Sequence, residues 1–103
     1  MSNILFSIYI AGPASRNAPA IKAFDEVCTK QLEAGTYEIQ IVDIARQPSL
    51  AEANKILAIP TIVREKPLPQ RRIIGDMRQP EKAIRALEFL LDEIEIKTTY
   101  EEK

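Results

Sequence analysis

The sequence predicts an α/β fold with elements in the order βαβαββα and a four-stranded mixed sheet. Three observations carry that reading. Ile4-Leu5-Phe6-Ser7-Ile8-Tyr9-Ile10 is a nearly all-apolar run of β-formers, the pattern of a central strand covered on both faces. Tyr37-Glu38-Ile39-Gln40-Ile41 alternates apolar and polar residues, and a helix-length apolar stripe separates it from the first run. Pro60 and the Pro67-Leu68-Pro69 segment then cut the second half of the chain into short strands ahead of a last amphipathic stretch.

Each element has its own signals. Ala11-Gly12-Pro13 breaks the first strand, and a helix follows with Ser15 or Asn17 as its cap and Pro19 in its first turn, where a missing N–H costs nothing. Ile21, Phe24, Val27, Cys28 and Leu32 fall on one helical stripe, which makes Cys28 a small buried apolar residue rather than a reactive thiol. Gly35 closes the helix. The second strand runs on from Ile41 through Val42-Asp43-Ile44, parallel to the first through a right-handed crossover. A short helix spans 48–57, with Pro48 near its start and Pro60 preventing its continuation. Thr61-Ile62-Val63 forms a third strand and Arg71–Gly75 a fourth, antiparallel because only a hairpin-like connection fits the spacing. The last helix opens near Pro80, runs to about residue 96 and buries Ile84, Leu87, Leu91 and Ile94, with Ala83 and Leu90 beside them. Residues 1–97 then make a single domain, and 98–103 a C-terminal tail.

Composition excludes several classes of function. The one cysteine rules out an intrachain disulfide framework, and the complete lack of histidine removes the usual general base and metal ligand. Three widely separated glycines build no phosphate loop, so no cofactor is expected. No apolar run reaches membrane-span length and no signal-peptide pattern opens the chain, which predicts a cytoplasmic protein with no membrane partner. The formal net charge is −1, but its distribution is polarised: residues 61–86 carry a balance of +4 and residues 87–103 one of −4. A basic surface of that kind steers toward an acidic partner. Nucleic acid is not the expected partner, since no aromatic residues interleave with the arginines and tryptophan is absent.

Ile59-Pro60-Thr61 entering an apolar stretch resembles the proline turn that thioredoxin-like domains place before their third strand, and βαβαββα is their topology. That likeness implies a cis Ile59–Pro60 bond. Where a redox thioredoxin carries Cys-x-x-Cys, this chain has Gly12-Pro13-Ala14-Ser15-Arg16-Asn17, so it lacks both the attacking thiolate and its resolving partner.

Four further segments carry a more specific likeness. They are Tyr9-Ile10-Ala11-Gly12; Val42-Asp43-Ile44 followed by Pro48-x-Leu50-Ala51-Glu52; Ile56-Leu57-Ala58-x-Pro60-Thr61; and Pro67-x-Pro69-x-Arg71-Arg72-Ile73-Ile74-Gly75-Asp76. Over residues 4–94 the chain resembles the KaiB family. The resemblance implies a non-catalytic regulator that binds the N-terminal ATPase ring of a KaiC-type, RecA-like ATPase and alters its phosphorylation cycle, in circadian or stress-related regulation. It implies Lys22, Arg64, Arg71 and Arg72 as the basic positions facing that partner. It also implies homo-dimers or homo-tetramers and a metamorphic alternative fold, βαββααβ, in which the C-terminal half is rearranged. Pro60, Pro80 and Ala86 are the positions where such a switch would be felt, because Pro80 suits the first turn of a continuous last helix and Ala86 its interior. The competing expectation is a redox-inactive thioredoxin-fold adaptor or a residual thiol-redox protein. The chain departs from the family pattern at Pro13–Asn17, Pro19, Met77-Arg78 and Ala86.

Overall fold

Seven elements form among the described residues: β1 (Ile4–Ile10), α1 (Ala18–Gln31), β2 (Tyr37–Asp43), α2 (Pro48–Ala53), β3 (Thr61–Lys66), β4 (Arg71–Ile74) and α3 (Pro80–Leu91). The computed structural model describes residues 3–13, 16–75 and 77–92. The strand order is β2-β1-β3-β4. β2 runs parallel to β1, β3 antiparallel to β1, and β4 antiparallel to β3. This is the βαβαββα arrangement that the sequence predicts, and not the alternative βαββααβ order.

Alternation along the strands divides the interior in two. Phe6, Ile8, Ile10 and Ile62 point to one face and pack under α1 and α3 against Phe24, Cys28, Ala86, Leu87 and Leu90. Phe6 and Phe24 meet edge to face, with ring centroids 5.2 Å apart. The other face holds a smaller cluster of Tyr9, Val42 and Val63 with Ile44 and Ile56 against it. α2 buries none of its residues, so the sheet is thickly covered on one side and thinly on the other.

Local detail departs from the sequence reading at several places. Asn17 occupies the N-cap of α1 but makes no side-chain cap bond; its amide instead donates to the carbonyls of Ala11 and Pro13, 3.3 and 3.0 Å away, and so ties the loop after β1. Ser15, the other cap candidate, lies outside the described residues. Pro19 sits in the first turn as expected. α1 stops at Gln31, where Leu32 turns extended, and Gly35 (φ +87°) serves the following turn instead.

α2 ends at Ala53 rather than 57. The Asn54 side chain donates to the Leu50 carbonyl (2.9 Å) and Lys55 takes a left-handed conformation (φ 55°), which together close the helix early. β3 continues past Val63 to Lys66, because β1 offers it partners as far as Leu5 across a bulge. In α3 the buried residues are Ala83, Ala86, Leu87 and Leu90, whereas Ile84 is 38% exposed. Ile94 and the tail lie outside the described residues. The Ile59–Pro60 bond is cis, as are Lys66–Pro67 and Leu68–Pro69.

Candidate partner-binding surface

Four basic residues were expected to share a surface, and the structure separates them. Arg64 stands on β3 two residues after Ile62, so period-two alternation turns it toward the α3 side of the sheet. It is 0% exposed. Its Nε donates to the Pro67 carbonyl (3.1 Å), and Nη1 to the carbonyls of Leu90 (2.6 Å) and Asp92 (3.0 Å). Nη2 donates to the Pro69 carbonyl.

The guanidinium thus caps the C-terminal end of α3, where the helix dipole is negative and the last carbonyls lack intrahelical donors. It staples that end to the β3–β4 connection. The expectation that Arg64 faces a partner is corrected accordingly: a fully buried guanidinium presents no charge to one.

Arg71 lies directly opposite Arg64 in the β3–β4 ladder, on the same face. Two cations so placed repel, and α3 offsets this by ending over both. Arg71 donates to the Phe89 carbonyl (3.3 Å), pairs with the Asp92 carboxylate (3.6 Å) and stacks over the Phe89 ring, 4.7 Å from its centroid. Arg71 is partly exposed, with its charge directed along the end of α3.

Arg72, one residue on, points to the opposite face. It donates to the Lys55 carbonyl and to the Gln70 side chain, both at 3.1 Å. Gln70 in turn donates to Glu65, whose carboxylate accepts from the Tyr9 hydroxyl. Burial, followed by the charge and hydrogen bond of Glu65, raises the Tyr9 pKa above its ordinary value. Lys22 is exposed on α1, on the helical side of the sheet. Of the four residues, the structure therefore brings Arg64 and Arg71 together at the end of α3, while Lys22 and Arg72 stand on opposite sides of the sheet.

Three residues, two beside Arg71 and one at the opposite edge of the sheet, have roles that were not found from sequence. Phe89 and Asp92 hold Arg71, and no local signal marks them as its partners. Asp43 accepts from the backbone N–H groups of Gly12 (2.9 Å) and Ala45 (3.0 Å), joining the loops that follow β1 and β2. The sequence held two hints, its place at the end of an alternating strand and the family-like Val42-Asp43-Ile44 segment.

Thiol chemistry has no footing. Cys28 is fully buried, and burial, with a smaller effect from Asp25, pushes its thiol up to about 12, so the reactive thiolate is not formed near neutral pH. Among the described residues no group of three or more His, Cys, Asp or Glu side chains is placed to hold a metal ion, and no helix is long and apolar enough to cross a membrane.

Comparison with known proteins places this scaffold. The KaiB domain matches residues 7–89, which reaches from within β1 to within α3 and takes in every element between them. This chain belongs to the KaiB family. The circadian clock oscillator protein KaiB of Prochlorococcus marinus subsp. pastoris is 37% identical over 90 residues, covering 87% of this chain and 83% of that protein. The protein of the same name from Synechococcus elongatus is 35% identical over 91 residues, covering 88% of each.

Among solved structures, the N-terminal domain of Synechococcus elongatus SasA superposes with a TM-score of 0.64 at 17% identity, over 88% of this chain and 85% of that one. Chloroplastic thioredoxin z superposes with a TM-score of 0.60 at 18% identity, over 85% and 78%. At those identities the likeness is one of fold, and the fold is thioredoxin-like. As a KaiB-family member the chain is a regulatory protein and not an enzyme.

Proposed function

We propose that this KaiB-family chain regulates a KaiC-type ATPase by binding its N-terminal ATPase ring and modulating its phosphorylation and ATPase cycle, in circadian or stress-related control. The observation that carries the proposal is the family match across residues 7–89 on a thioredoxin-like scaffold whose one thiol is buried. A fold of this type without accessible thiol chemistry acts by presenting a surface.

Positive charges stand at Lys22 on α1 and, at the far edge of the sheet, at Arg71 and Arg72 on β4, and each complements an acidic face of the ATPase ring where the two proteins meet. Arg64 acts from the core, holding the end of α3 that carries Phe89 and Asp92 against Arg71. No observation favours a residual redox role, because a thiol held neutral inside the core neither attacks nor resolves a disulfide.

Calorimetry of the purified chain with the host's KaiC-type ATPase tests the proposal. Saturable binding at low salt is expected. The Lys22→Ala/Arg72→Ala double variant should weaken it by about 1–3 kcal/mol, with a loss that shrinks as salt rises. An ATPase that fails to bind the wild-type chain would overturn the reading. Undiminished affinity of the double variant would overturn the assignment of the surface alone.

A further inference from the structure

β4 is an edge strand, and its outer edge is open among the described residues. Gly75 N donates to the Pro60 carbonyl, which sets the phase of the ladder. Hydrogen-bonded pairs then fall at Ile73 and Arg71, and the N–H and C=O groups of Arg72 and Ile74 point away from β3. An edge of this kind is a template for another strand unless something blunts it. β4 has neither proline nor bulge within it, and no described strand lies beyond it; it is only four residues long, and its two charged residues, Arg71 and Arg72, are drawn off the edge toward Phe89 and Asp92 and toward Lys55 and Gln70.

What flanks the edge is equally specific. A groove of about 280 Å³ runs between β4 and α3, lined by Ile73, Met77 and the strand edge at Ile74 and Gly75 and, on the helix side, by Lys82 and Arg85. Lys82 and Arg85 are three apart, one turn along the same helix face, and Phe89 continues that stripe one turn further on, 45% exposed. Both cations are exposed, and no described carboxylate lies within ion-pair distance of either. On the opposite face of the edge, Ile74 is 55% exposed. A strand laid beside β4 would send alternate side chains toward α3 and toward Ile74. The first set would meet two cations and the second the exposed Ile74, beside an Arg72 whose guanidinium is already bonded to the Lys55 carbonyl and Gln70.

From this juxtaposition we infer that the β4–α3 groove is a docking site for an extended segment of a partner protein in which acidic and apolar residues alternate. The segment adds to the sheet as a fifth strand. Its main chain pairs with Arg72 and Ile74, its carboxylates face Lys82 and Arg85, and its apolar side chains cover Ile74. This goes beyond the proposed regulation of an ATPase, since the groove selects a peptide chemistry irrespective of which protein carries it.

The test uses the full chain, labelled with ¹⁵N, and two blocked synthetic octapeptides, one alternating Glu and Val and the other Lys and Val. With the Glu peptide, saturable shift changes are expected at residues 71–75 and 82–89, and the Arg72 and Ile74 amides should become protected from hydrogen exchange. The Lys peptide should bind about tenfold or more weakly, and the Lys82→Glu/Arg85→Glu variant, altered only at exposed positions, should reverse that preference.

Three results would overturn the inference. One is equal binding of both peptides. Another is a set of shift changes centred on the β2 edge. The third is strong protection of Arg72 and Ile74 before any peptide is added, since an edge the chain already covers takes no partner strand.

Discussion

Replacing Arg64 with methionine keeps the aliphatic stem and deletes the guanidinium. Arg64 is the largest fully buried side chain among the described residues, and its donors reach the carbonyls of Pro67, Pro69, Leu90 and Asp92. Those acceptors belong to the backbone and cannot be removed with their partner. The usual remedy for a lost buried charge, an apolar replacement of both members, is therefore closed. The bond to Leu90 is buried, so that carbonyl is stranded at a cost of about 1–3 kcal/mol. The other three bonds are partly buried, and water recovers much of what they lose, leaving roughly another 1–2 kcal/mol for charge-assisted bonds.

The expected loss is about 3 kcal/mol, a large share of the roughly 5–15 kcal/mol that holds a domain together. Equilibrium urea unfolding followed by far-ultraviolet circular dichroism measures it, with wild type and Arg64→Lys alongside. The lysine variant should fall between the two, since an ammonium cannot reproduce the planar fork that spans the helix end and the loop. A loss below about 1 kcal/mol for Arg64→Met would refute the reasoning, because it would mean that the carbonyls of α3 and the β3–β4 connection are satisfied without the guanidinium.

Other consequences can be measured on the same material. Asp43→Ala removes the acceptor of two backbone N–H groups and should cost about 1–2 kcal/mol, visible as a fall in Tm; an unchanged Tm would show that those amides find water instead. Cys28 should resist a thiol reagent at pH 8 in the native protein and react once denaturant is added. Its thiol ionises near pH 9 when unfolded but only at about 12 when folded, so the unfolded state loses its proton first; this contribution to stability is whole below pH 9 and declines as pH rises toward 12, a decline that Cys28→Ala should lessen. Ala86→Gly, at a fully buried position inside α3, should cost about 1–2 kcal/mol through helix propensity and lost packing. Backbone chemical shifts for residues 80–91 should be helical in the dominant solution species; strand-type shifts there would mean that the chain prefers another fold.

The fold was legible because its signals are local. The apolar run of β1, the alternation in β2, the stripe through Phe24 and Cys28 and the proline punctuation each report a repeat of two or about 3.6 residues, and such a repeat fixes which face turns inward. Helix ends were less legible. α2 closes early through the Asn54 side chain and the conformation of Lys55, a balance of a few tenths of a kcal/mol to about 1 kcal/mol that periodicity does not register. The basic residues were legible as a composition, but not that Arg64 among them is buried.

Ending the third strand at Val63 hid the fact that Arg64 continues the inward face of Ile62. Carrying the alternation one step further would have turned Arg64 toward the core. Even so, a buried arginine needs acceptors, and its acceptors at Leu90 and Asp92 lie 26 and 28 residues away along the chain. The Phe89 ring over Arg71 is 18 residues away. By itself the sequence determined the order of elements, the buried stripe and the absence of dithiol, imidazole and phosphate-loop chemistry, because those depend on residue type and short-range spacing. Only the tertiary structure decided which arginine is a staple and which is a surface, because that depends on where the end of α3 comes to rest over the sheet.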